Sequence, residues 1–145
     1  MNGSEASNCC LLLKQVQESV KKEANNELRK QGLTSSQAQM LMALYEADQH
    51  CLSLKQMEKS FQVSQPTIVG IVKRLEQKGY VESHNFAGDK RVKIVAITED
   101  GIAKLSEGKA AMDKVQNRWF QGLSEEEQTQ FRTILEKIAL QRDNF

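Results

Sequence analysis

Two short clusters of side chains in this sequence are suited to holding a partner rather than transforming one. The first is Ser64, Gln65, Thr67, Val69, Lys73 and Arg74, in which hydroxyl and amide groups precede two cations. The second is Asp89, Lys90, Arg91 and Lys93. Hydroxyl and amide groups bond base edges and phosphate oxygens, and Lys and Arg neutralise phosphate charge. Residues 53–93 hold eight Lys and Arg against four Asp and Glu, a local +4, while the rest of the chain sums to −3 within an overall +1. A polyanion-binding face needs that segregation even on a nearly neutral protein. The opposing reading is a solvated, mildly basic surface on a helical domain.

Other chemistry finds little support. The only histidines are His50 and His84, and no catalytic Ser, Cys or carboxylate pair stands at a meaningful spacing. The His50–Cys51 pair falls short of zinc, which takes four ligands, or three and a water. No Gly-rich phosphate loop or dinucleotide fingerprint occurs. The expectation is therefore no enzyme, no metal site and no cofactor. Cys9, Cys10 and Cys51 make no disulfide framework, which argues for a reducing cytoplasm. The start of the chain lacks a basic n-region, and no run approaches the roughly 18–20 apolar residues of a membrane span.

The elements that must position the two clusters can be read locally. Ser53 and Gln56 form a capping box that opens a short helix in which Met57 and Phe61 share a face. After the break at Gln62, Val63 and Ser64, a second helix begins with Ser64 as N-cap and Pro66 in the first turn. Ile68, Ile71, Val72 and Leu75 give it one buried face, and Gly79 closes it. Two short helices with a tight break predict a helix-turn-helix. A hairpin follows, with Gly88 and Asp89 in its turn and a β-branched strand from Val92 to Ile97. A recognition helix followed at once by a basic-tipped hairpin is a winged helix-turn-helix. The expected fold class is mainly α with a small β-hairpin wing, in a single domain over residues 1–145.

Long helices flank this unit. Residues 1–7 are expected to fray, and a helix is expected over 8–31 with Cys9, Leu12, Leu13, Val16, Val20, Ala24 and Leu28 on one side. Thr34 and Gln37 cap the next helix, with Met40, Leu41 and Leu44 inward, and Cys51 and Leu52 form a short strand beside the hairpin. Thr98 caps a helix over 99–121 carrying Leu105, Met112, Val115 and Trp119. Ser124 and Glu127 cap the last helix, striped by Phe131, Ile134, Leu135 and Ile138. Such stripes find little to cover them within one chain, so 8–31 and 99–142 are read as dimerisation helices around a DNA-binding unit at 33–98. The alternative is that the three helices cover only one another.

Over residues 8–142 the chain resembles the multiple-antibiotic-resistance regulator (MarR) family of bacterial transcription factors. The match rests on Leu33, Thr34 and Gln37; on Ser64 to Thr67; on Leu75, Glu76, Lys78, Gly79, Tyr80 and Val81; on Asp89 and Arg91; and on Ile97, Thr98 and Gly101. The resemblance implies a cytoplasmic homodimer on a pseudo-palindromic double-stranded DNA operator, with recognition helices in successive major grooves and wings in the minor groove. It implies a repressor that releases DNA on binding a small aromatic or phenolic effector between the dimer helices and the winged unit. By the same likeness Arg91 enters the minor groove and Asp89 holds its guanidinium.

Two departures stand out. Val69 and Gly70 lie where relatives carry polar or basic side chains, which leaves base edges to Gln65 and Thr67, with Val69 against a thymine methyl. Ser64, Lys73 and Arg74 then fall to phosphates. Cys10 lies where peroxide-sensing members place a reactive thiol, but the accompanying tyrosines are replaced by Lys14 and Ala24. Cys10 is thus a candidate redox residue, with burial at a dimer seam the plainer account. A winged helix turned to protein or RNA is the remaining alternative, and retention of Gln65, Thr67, Lys90, Arg91 and Lys93 speaks for DNA.

Overall fold

A computed structural model describes residues 1–141. The chain runs α1 (Gly3–Lys30), α2 (Ser35–Glu46), β1 (Cys51–Ser53), α3 (Leu54–Phe61), α4 (Gln65–Gln77), β2 (Val81–Phe86), β3 (Asp89–Ile97), α5 (Glu99–Phe120) and α6 (Glu125–Gln141). The strands form one antiparallel sheet in the order β1-β3-β2. This is a mainly helical winged helix-turn-helix, as the pattern of caps and stripes predicts. Residue 142, the end of the expected second dimerisation segment, and residues 143–145 lie outside the described residues.

Capping chemistry sets most of the boundaries. Thr34 with Gln37, Ser53 with Gln56 and Ser124 with Glu127 each form the reciprocal pair of bonds expected of them. Two expectations need correction. Residues 3–7 are helical rather than frayed, because Asn2 Oδ1 accepts the Glu5 N–H at 3.0 Å and Glu5 Oε2 accepts the Asn2 N–H at 2.9 Å. Ser64 occupies the N-cap of α4 without capping a backbone N–H; its hydroxyl pairs instead with the Thr67 hydroxyl at 2.9 Å.

The core gathers beneath the sheet. Leu33, Met40, Leu41, Leu44, Met57, Ile68, Leu75 and Val95 are each at most 2% exposed, and burial of one such leucine contributes about 2 kcal/mol. β1 joins this core edge-on through the pairs Cys51–Ala96 and Ser53–Ile94. Between α2 and β1 the chain turns a tight corner in which Gln49 and His50 both adopt left-handed φ near 56°. His50 Nδ1–H donates to the Tyr45 carbonyl at 2.6 Å, and the two rings stack with centroids 5.1 Å apart. At the other end of the sheet, α5 starts against the hairpin base. The Thr98 hydroxyl donates to the Gly79 carbonyl at 2.7 Å, and a Cβ on Gly101 would stand 2.1 Å from the Tyr80 oxygen.

The flanking helices are covered only in part. On α1, Ala24 and Leu28 are buried against α5, and Val20 is half-buried, while Cys9, Leu12, Leu13 and Val16 face solvent. On α5, Leu105 and Val115 are buried and Trp119 is not; its indole N–H donates to Glu23 Oε2, which also accepts Arg118 Nη2 at 2.5 Å. No residue of α6 is buried, and Phe131, Ile134, Leu135 and Ile138 are 36–55% exposed. Among the described residues, no helix is long and apolar enough to cross a membrane.

Candidate nucleic-acid interface

Burial of Ile68, Val72 and Leu75 fixes the rotation of α4 and so decides what it presents outward. Ser64, Gln65, Thr67, Lys73 and Arg74 are exposed, and Val69 is 42% exposed. Gly70 adjoins open space, with nothing within 4 Å of the position a Cβ would take. The C-terminal end of α4 is tied down on two sides. Lys78 Nζ donates to the Gly32 carbonyl and, at 3.2 Å, to the buried Gln37 Oε1, and the Ser83 hydroxyl donates to Glu76 Oε1 at the foot of the hairpin.

The wing departs from a regular ladder. Pairing is continuous from Val81–Ile97 to Asn85–Lys93 and then jumps to Phe86–Asp89, so Lys90, Arg91 and Val92 are extra residues on one strand. A bulge of this kind redirects side chains. Arg91 is 95% exposed, and its backbone N–H donates to Asp89 Oδ1 at 2.9 Å. The grip of Asp89 on the guanidinium is looser than the resemblance implies, at 3.9 Å from Nε. Asp89 shapes the turn first and the side chain second.

Charge on these elements is left uncompensated. Lys73, Arg74, Lys90 and Lys93 are exposed, and none of them forms an ion pair among the described residues. The groups displaced from their ordinary titration lie elsewhere. The Lys30 ammonium bonded to Glu27 lowers that carboxyl, and the Glu107 carboxylate bonded to Lys104 at 2.8 Å raises that ammonium, which also lies over the Tyr80 ring.

Cys9 and Cys10 are exposed on α1, and Cys51 is half-buried. Lys14, the nearest candidate to activate Cys10, lies 3.9 Å from Glu18 instead. Among the described residues no group of three or more His, Cys, Asp or Glu could hold a metal ion. The sequence names no residues for a site between the flanking helices and the winged unit. A cavity of about 470 Å³ opens between α1, α2 and α5, walled by Leu28, Leu33, Ala38, Met42, Leu105 and Met112, with Glu46, Lys109 and Asp113 among its polar lining. Helical stripes show which residues turn inward, but a gap between three helices appears only once their crossing is known.

Known proteins resemble this arrangement over most of its length. The model of the MarR family matches residues 31–92. The HTH-type transcriptional regulator PrsX of Escherichia coli is 26% identical over 113 residues, which is 78% of this chain and 68% of that protein. The crystal structure of YusO from Bacillus subtilis superposes with a TM-score of 0.85 at 25% identity, covering 97% of this chain and 99% of that one. The Staphylococcus aureus MepR–DNA complex superposes with a TM-score of 0.67 at 26% identity, covering 90% and 95%.

Proposed function

We propose that the chain is a transcription regulator of the MarR type, which its matches support, and that it binds operator DNA sequence-specifically as a homodimer, with α4 in the major groove and the wing in the minor groove. The observation that carries this reading is the set of exposed, unpaired cations on α4 and the wing, Lys73, Arg74, Lys90 and Lys93, beside the almost fully exposed Arg91. Unpaired cations release counterions from DNA at no cost in broken ion pairs. Gln65 and Thr67 read base edges, Val69 meets a thymine methyl, and Ser64, Lys73 and Arg74 hold phosphates. Lys90 and Lys93 flank Arg91, whose guanidinium suits the negative potential of a narrow minor groove.

The homodimer is supported by surface that one chain leaves open. A compact monomer of 16.4 kDa would expose about 7,500 Å², and this chain exposes 10838 Å². That excess, about 3,300 Å² per chain, is more than enough for an obligate interface, which takes about 1,000–2,500 Å² from each partner. The apolar stripe of α6 and the N-terminal half of α1 supply it. Two-fold symmetry then requires a pseudo-palindromic operator with half-sites about 34 Å apart.

The cavity beside α5 is of ligand-binding size, and its apolar walls with a few charged lining groups suit a small aromatic or phenolic effector. An effector that binds better when α5 has shifted against α2 would draw the dimer away from its DNA-binding form. That is how a repressor is relieved. The test is fluorescence anisotropy of the purified protein on its own upstream DNA and on scrambled duplex, across a salt series. Tight, salt-steep binding with preference for the upstream fragment supports the regulator. Equal, weak binding to both overturns self-regulation, and binding to RNA alone overturns the DNA reading.

A further inference from the structure

Phe86 is the largest side chain at the wing tip, and the proposed contacts give it no role. It is 52% exposed, and the residues around it are small or charged: Ala87, Gly88, Asp89, Lys90 and Arg91. Scattered exposed apolar residues are ordinary on protein surfaces. Phe86 differs in being placed and held. The register jump pairs it with Asp89 across a two-residue turn, directly beside the extra residues that project Arg91. Its ring lies on Gly88 so closely that a Cβ there would meet Phe86 Cε1 at 3.1 Å. The turn therefore carries no side chain where the ring rests.

We propose that Phe86 is an apolar wedge for the minor groove. Its ring enters between two adjacent base pairs beside the site of Arg91, at a flexible pyrimidine–purine step. This rests on the DNA-binding reading above. Apolar side chains inserted at such steps partly unstack them and bend the duplex, and pyrimidine–purine steps yield most readily. Sequence is then read by deformability. The recognition helix makes that useful, since Val69 and Gly70 offer its middle no hydrogen-bonding side chain. A ring seated against its own turn also has less freedom to lose on insertion than a free one.

The test selects duplexes from a random-sequence library on the purified full-length protein, with wild type and Phe86→Ala in parallel. The wild-type pool is expected to carry TA or CA steps at both wing positions, and the Phe86→Ala pool to lose them. On a wild-type-selected duplex, Phe86→Ala should bind about tenfold more weakly, the scale of one good base contact, while Phe86→Leu, still a wedge, keeps most of the affinity. A 2-aminopurine at the step should brighten with wild type and stay dark with Phe86→Ala. A ring that only braces the turn would weaken all duplexes alike and leave the pools and the 2-aminopurine signal unchanged, which overturns the proposal. Weakening by Arg91→Ala with no effect of Phe86→Ala overturns the wedge alone. No enrichment of any duplex by wild type overturns the wedge together with the DNA reading.

Discussion

Leu41, Leu44, Met57, Ile68, Leu75 and Val95 lose all contact with solvent inside one chain, whereas α6, with an equally regular stripe, buries none of its residues. The two regions are alike in sequence: apolar residues at helical spacing, capped by Ser or Thr. They differ in what lies opposite. α2, α3, α4 and the sheet close on one another from several directions, while α6 meets its own chain near its start, where the Phe131 and Phe120 ring centroids stand 5.9 Å apart and Gln128 Nε2 donates to the Phe120 and Leu123 carbonyls. Periodicity thus identifies a face that must be covered without identifying the cover. The winged unit supplies its own, and the flank finds none within the described residues, as the homodimer proposed above would require.

The sharpest way to break this contrast is to charge the open stripe. Ile134→Asp combined with Ile138→Asp should weaken self-association at least a thousandfold, about 4 kcal/mol, with the winged core still folded. Sedimentation together with circular dichroism reads both, and an unchanged dimer would place the seam elsewhere. Next in size is Leu75→Ala, expected to cost about 3 kcal/mol at any protein concentration. Leu135→Ala should instead lower stability in a concentration-dependent manner, and denaturation at two dilutions separates the cases. Arg91→Ala should weaken operator binding by about 1–3 kcal/mol without moving the unfolding midpoint. Lys73→Ala should weaken all duplexes alike and lower the salt slope by about one. The smallest effect is a gain: Gly70→Ala meets open space in mid-helix and should stabilise the winged unit by about 1 kcal/mol, as a denaturant midpoint will show.

The sequence displays its caps and stripes plainly, because the partners of a capping box lie three residues apart and the partners of a stripe three or four. Thr34, Ser53, Thr98 and Ser124 were legible for that reason. Asn2 and Glu5 obey the same rule, although small polar residues at a terminus suggest fraying. What depends on distant segments was not legible. The bond from Lys78 to Gly32 and Gln37 crosses from α4 to the α1–α2 corner, and the cavity needs three helices at once. The left-handed corner at Gln49 and His50 carries no glycine to announce it. On the wing, Asp89 and Arg91 signal a turn, but the three-residue jump in register that projects Arg91 is a property of both strands together.

The contact between Gly101 and the Tyr80 carbonyl admits not even a methyl group, so the first turn of α5 is fixed to the base of the hairpin backbone to backbone. A helix of 22 residues extends about 33 Å from that point, and its far end is fastened to α1 through Arg118, Trp119 and Glu23. Mechanically this is a crank with its fulcrum under the wing and its handle on the open flank. A tilt of about 5° at the fulcrum sweeps the far end through about 3 Å. Adjustments too slight to disturb the winged core therefore become ångström-scale changes at the handle. Conversely, in the proposed homodimer the angle at which two handles are joined would set how far apart the two wings stand.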